Sequence, residues 1–216
     1  MREKVLEWIE ANKIIAIVRG AEPQQCMQVA EALYSGGIRL VEITYDQKKP
    51  ESWQATADAI AQIAKAFEGK MFVGAGTVTN VELVELTAQA GGCFIISPDT
   101  DVAVIEKTRE LGLVSLPGAL TPSEIKTAHM AGADFVKVFP VGNMGPGYIK
   151  AVRAPLSHIK MMAVGGVNEK NLRDYLDAGC CGAGIGGNLV NKQWIADGEF
   201  DKITALAKTM VEIAKG

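Results

Sequence analysis

The chain has 216 residues, 48% of them apolar and 22% charged, with a net charge of -3 at pH 7. That length suits one α/β domain spanning residues 1–216, with ample apolar material for a core. Lysines and arginines are scattered, leaving no electrostatic footprint for nucleic acid or an anionic membrane.

A charged, amphipathic segment over residues 2–11 predicts a short N-terminal helix. It lacks the apolar centre of a signal peptide, and nowhere do about 18 apolar residues run together, so a soluble cytoplasmic protein is expected. Short, nearly continuous apolar runs then recur at 14–18, 40–45, 71–74, 94–97, 114–116, 135–139, 161–164 and 182–186. Each reads as a strand buried on both faces. The last is Gly-rich and is a strand by its place in the repeat rather than by propensity. Between the runs, apolar residues fall at helical spacing, as with Cys26, Val29, Ala30 and Leu33, or Ala59, Ile60, Ile63 and Phe67. Pro23, Pro122 after Thr121, and Asn168 ahead of Glu169 read as helix starts, and Gly36–Gly37, Gly112, Gly132 and Gly179 as helix ends. Strict β–α alternation requires a parallel sheet with right-handed crossovers. Eight such units predict a (β/α)8 TIM barrel. An open doubly wound sheet is the alternative, but Arg19–Gly20–Ala21 follows the first strand where a dinucleotide fold would carry G-x-G-x-x-G.

In such barrels reactive groups stand at the C-terminal ends of the strands, so polar residues within apolar strands are the candidates. Period-two geometry puts Lys137 on one face with Phe135 and Phe139. Such a lysine either snorkels to water at the rim or is desolvated into a neutral, nucleophilic amine able to attack a ketone. Glu42 shares a strand face with Thr44 and is either a general base or one half of a structural ion pair. Arg19 ends the first strand, where a guanidinium can hold a carboxylate. Gly165–Gly166 follows strand seven and Gly186–Gly187 ends strand eight, the two loops where many barrels bind phosphate on backbone N–H groups. The two histidines, His129 and His158, stand at no strand end, and Cys26, Cys93, Cys180 and Cys181 lack C-x-x-C spacing. Neither a metal site, nor a disulfide, nor a cofactor is therefore expected.

Together, 14–19 with its final Arg19, GGIRLVEIT at 36–44, VGAGT at 73–77, ISP at 96–98, LPG at 116–118, FVKVFP at 135–140 and the glycine pair at 165–166 resemble the 2-keto-3-deoxy-6-phosphogluconate and 4-hydroxy-2-oxoglutarate aldolases. The resemblance implies a class I, pyruvate-forming lyase built as a homotrimer of barrels, acting on a small and usually phosphorylated 2-keto acid. It further implies an iminium on Lys137, proton shuttling by Glu42, carboxylate binding by Thr77 and Arg19, a pocket shaped by Pro98 and Phe139, and phosphate loops at Gly165, Gly166, Gly186 and Gly187. The chain departs from the family at three points. Asp46 stands where some members carry an arginine, Ala163–Val164 precedes the glycine pair where many read Pro-Thr, and Gly187 replaces a common serine. The AVGGV wording is closer to the branch that cleaves 6-phosphogalactonates. Cleavage of the phosphogluconate to pyruvate and glyceraldehyde 3-phosphate leads the expectations, with hydroxyglutarate cleavage beside it. The galactonate substrate, a phosphosugar isomerase or epimerase, and a non-catalytic phosphometabolite-binding barrel are the alternatives.

Overall fold

The computed structural model describes residues 1–216. The apolar runs form parallel strands β1 (Ile14–Val18), β2 (Leu40–Thr44), β3 (Phe72–Gly76), β4 (Phe94–Ile96), β5 (Val114–Leu116), β6 (Gly118–Ala119), β7 (Val136–Val138), β8 (Met161–Val164) and β9 (Gly182–Ile185). They make one nearly closed barrel in the order β5-β4-β3-β2-β1-β9-β8-β7-β6, with helices between successive strands except β5 and β6. No helix is long and apolar enough to cross a membrane.

Nine strands rather than eight arise because the fifth unit is broken. Pro117, with no N–H to give to a ladder, divides it into β5, which pairs with β4, and β6, which pairs with β7. The Lys137 N–H donates to the Pro117 carbonyl (2.9 Å), tying the break to β7. One bent segment thus joins the two ends of the sheet.

The barrel interior is a separate apolar cluster formed by Ile15, Leu40, Phe72, Phe94, Ile96, Val114, Leu116, Phe135 and Met162, with Val5 and Ile9 of α1 (Arg2–Asn12). The N-terminal helix therefore plugs the bottom of the barrel. Small residues face large ones inside. A Cβ on Gly74 would collide with the Phe94 ring, and one on Gly184 would press on Val164. This explains the Gly-rich β9, whose Gly182 and Gly184 give way to side chains from neighbouring strands. A larger outer cluster of 50 buried residues lies between strands and helices.

Two helix starts behave as expected. Pro23 opens α2 (Pro23–Ser35), and Thr121 caps α3 (Pro122–Met130) in a reciprocal box with Glu124. The start expected at Asn168 lies further on, since α4 (Leu172–Asp177) begins after Asn171. Asn171 Oδ1 accepts from the Asn168 N–H (2.8 Å), so this polar pair shapes a loop and delays the helix. The third strand ends at Gly76, two residues beyond the expected Gly74, carrying the glycine run further up the barrel.

Candidate active site

At the C-terminal mouth a cavity of about 460 Å³ opens. Its lining includes all ten candidates: Arg19, Glu42, Thr77, Pro98, Lys137, Phe139, Gly165, Gly166, Gly186 and Gly187. Val164, one of the three departures from the family, also lines it, and Ile17, Val167, Gly184 and Asn188, not singled out by sequence, complete the lining. The two histidines lie elsewhere, stacked edge to face with ring centroids 5.3 Å apart.

Lys137 projects inward from β7, in register with Gly118 and Met162, and is 6% exposed. Its Nζ lies 4.7 Å from the Phe139 ring centroid. It does not snorkel into bulk water. Burial pushes its pKa below the usual lysine value; the Glu42 carboxylate opposes that shift, and the Arg19 charge reinforces it.

Glu42 projects inward from β2 and is 1% exposed. Burial raises its carboxyl to about 7, with Lys137 and then Arg19 pulling the other way. A Cβ at Gly76 would collide with the Glu42 carboxylate, so the glycine at the end of β3 makes the space that this side chain fills. Glu42 Oε2 has no hydrogen-bond partner, and no ion pair forms between Glu42 and Lys137. The structural ion-pair reading of Glu42 therefore fails. Two buried groups face one cavity, each biased towards its neutral form.

Arg19 Nη2 donates to Thr77 Oγ1 (3.1 Å) beside this pair. Thr77 has φ 58, in the left-handed region that costs a β-branched residue energy. The Gln47 amide holds it there, donating to the Thr77 carbonyl (2.8 Å) while accepting from Thr79 Oγ1 (2.8 Å). Sequence reasoning missed Gln47, which lies in a loop with no periodic signal. It also missed Asp99, just past Pro98, whose carboxylate acts on Lys137 to favour the charged amine.

The glycine loops after β8 and β9 also line the cavity. Gly165 and Gly166 adopt φ 91 and 86. The N–H groups of Gly165, Gly166, Val167, Gly186, Gly187 and Asn188 donate to no acceptor in the protein. Clustered unpaired N–H groups make an anion site. The cavity thus offers a guanidinium, a hydroxyl, an amine, a carboxyl and a set of free backbone donors.

The KDPG and KHG aldolase family model matches residues 5–206. The chain is 37% identical to the 2-dehydro-3-deoxy-6-phosphogalactonate aldolase of Escherichia coli, covering 85% of this chain and 87% of that one. It is 31% identical to the KHG/KDPG aldolase of the same organism, covering 96% and 94%. Among solved structures, a native KDPGal structure superposes with a TM-score of 0.84 at 35% identity, covering 94% of each chain. The KDPG aldolase of Legionella pneumophila, with pyruvate captured as a covalent carbinolamine, superposes with a TM-score of 0.84 at 25% identity, covering 94% of this chain and 96% of that one.

Proposed function

We propose that this chain, which belongs to the KDPG and KHG aldolase family, cleaves a 2-keto-3-deoxy-6-phosphoaldonate to pyruvate and glyceraldehyde 3-phosphate through an imine on Lys137. The observation that carries the reading is the buried Lys137 and Glu42, facing one cavity without pairing. Desolvation favours the neutral amine, and the raised carboxyl can give and take a proton near neutrality.

The Lys137 amine adds to the C2 carbonyl, and Glu42 in its acid form protonates the departing hydroxyl, leaving an iminium. The resulting Glu42 carboxylate takes the proton of the C4 hydroxyl. The C3–C4 electron pair moves into the iminium as an enamine, and the aldehyde leaves. Glu42 returns its proton to C3, and water releases pyruvate from the lysine. Thr77 accepts from Arg19, so its own hydroxyl proton is free to join that guanidinium on the C1 carboxylate. The unpaired N–H groups of the glycine loops receive the phosphate. Pro98 and Phe139 wall the space between.

The galacto-configured substrate is favoured over its gluco epimer, because identity is 37% and 36% to two chains named for the former against 28% and 30% for two named for the latter. A coupled assay of pyruvate release tests both levels of the proposal, with the two phosphorylated C4 epimers and 4-hydroxy-2-oxoglutarate as substrates. The galactonate should give the highest kcat/KM, and Lys137→Met should abolish all turnover. Retained cleavage in that variant would refute the mechanism, and preference for another substrate would refute the assignment alone.

A further inference from the structure

Free backbone N–H groups form an anion site only if the neighbouring carbonyls are turned away from the anion. A trans peptide points its C=O and N–H in opposite directions, so whatever holds a carbonyl also aims the next N–H. In the loop after β8, two successive carbonyls are held by asparagine amides. The Gly166 carbonyl accepts from Asn171 Nδ2 (3.1 Å) and Asn168 Nδ2 (3.3 Å). The Val167 carbonyl accepts from Asn188 Nδ2 (2.9 Å). Asn188 belongs to the other glycine loop, after β9, so this bond joins the two neighbouring loops at the cavity mouth. The Asn171 side chain is fixed in turn, because its Oδ1 accepts from the Asn168 N–H (2.8 Å).

The glycines make such a clamp necessary. Gly165 and Gly166 both have positive φ, and glycine populates either sign of φ with little preference. Without an external hold these peptides could flip and present oxygen to an anion. A Cβ on Gly187 would meet nothing within 4 Å, so packing does not fix the partner loop either.

We infer that Asn171 and Asn188 are positioning residues for phosphate recognition: Asn171 clamps the Gly166 carbonyl so that the Val167 N–H faces the substrate, and Asn188 ties the other side of Val167 to the partner loop. The inference rests on the proposal that the glycine loops receive the phosphate. Asn188 is exposed, so its replacement leaves the core intact.

The test compares wild type with Asn188→Ala, Asn171→Ala and Asn188→Gln, the last retaining an amide donor. Three readouts are used: KM and kcat for the preferred phosphorylated substrate, the same constants for unphosphorylated 4-hydroxy-2-oxoglutarate, and inhibition by inorganic phosphate. Loss of a hydrogen bond that holds the Val167 donor in place should raise the KM for the phosphorylated substrate and the phosphate inhibition constant together, by roughly five- to ten-fold. The kcat and both constants for hydroxyglutarate should stay near wild type, and Asn188→Gln should recover most of the loss. Equal KM changes for both substrates, or no change for either, would overturn the clamp. A wild-type enzyme that ignores inorganic phosphate and handles both substrates alike would instead overturn the phosphate reading, and the clamp with it.

Discussion

At the scale of single residues, Glu42 ties stability and chemistry to one titration. Its carboxyl ionises near 4.5 when unfolded and at about 7 in the folded protein, where burial disfavours the charge. Because the folded value is the higher one, the carboxyl's favourable contribution is full below the unfolded value. It is lost as pH rises through the folded value. Glu42→Gln, neutral at every pH, should therefore have a higher Tm than wild type at pH 8, with the difference shrinking towards pH 5. Scanning calorimetry at the two pH values checks this, and a variant less stable than wild type at pH 8 would contradict it. Catalysis needs the same protonated form, since the acid must protonate the departing hydroxyl before the resulting carboxylate can take the C4 proton. In the free enzyme kcat/KM should therefore fall as pH rises through about 7, and the variant should lose cleavage altogether.

The elements show how sequence pattern becomes a site, and where it stops being readable. Gly76 ends β3 beside the Glu42 carboxylate, so Gly76→Ala should both destabilise the barrel and displace the base. A loss of about 1–3 kcal/mol is expected from overpacking, measured by urea unfolding, with kcat falling more than KM rises. Strand positions, and the inward-facing Lys137 and Glu42 with them, were legible because buried parallel strands write continuous apolar runs. The break at Pro117 was not, since 118–119 is too short to show a period. Nor was the loop at 168–171, where asparagines that look like a helix cap instead bond to backbone in the turn. Gln47 was invisible for a similar reason: its role is to hold the strained Thr77 from a neighbouring loop, and single-chain periodicity carries no trace of such a contact.

For the whole molecule, the barrel separates a stabilising end from a reactive end. Helix α1 closes the bottom with Val5 and Ile9, both fully buried against the interior cluster, while the candidate site lies at the opposite mouth. Ile9→Ala should lose about 2–4 kcal/mol of stability, seen as a lower urea midpoint, and keep wild-type kcat at temperatures where it remains folded. A large fall in kcat at full folding would mean the two ends are coupled. The proposal that connects everything above is that the one buried lysine of β7 becomes covalently bound to substrate. Borohydride reduction in the presence of pyruvate, followed by peptide mass mapping, tests this most directly. A pyruvyl-derived mass on the peptide containing Lys137, with activity lost in proportion, is the predicted result. An unmodified Lys137 peptide under conditions that support turnover would contradict it.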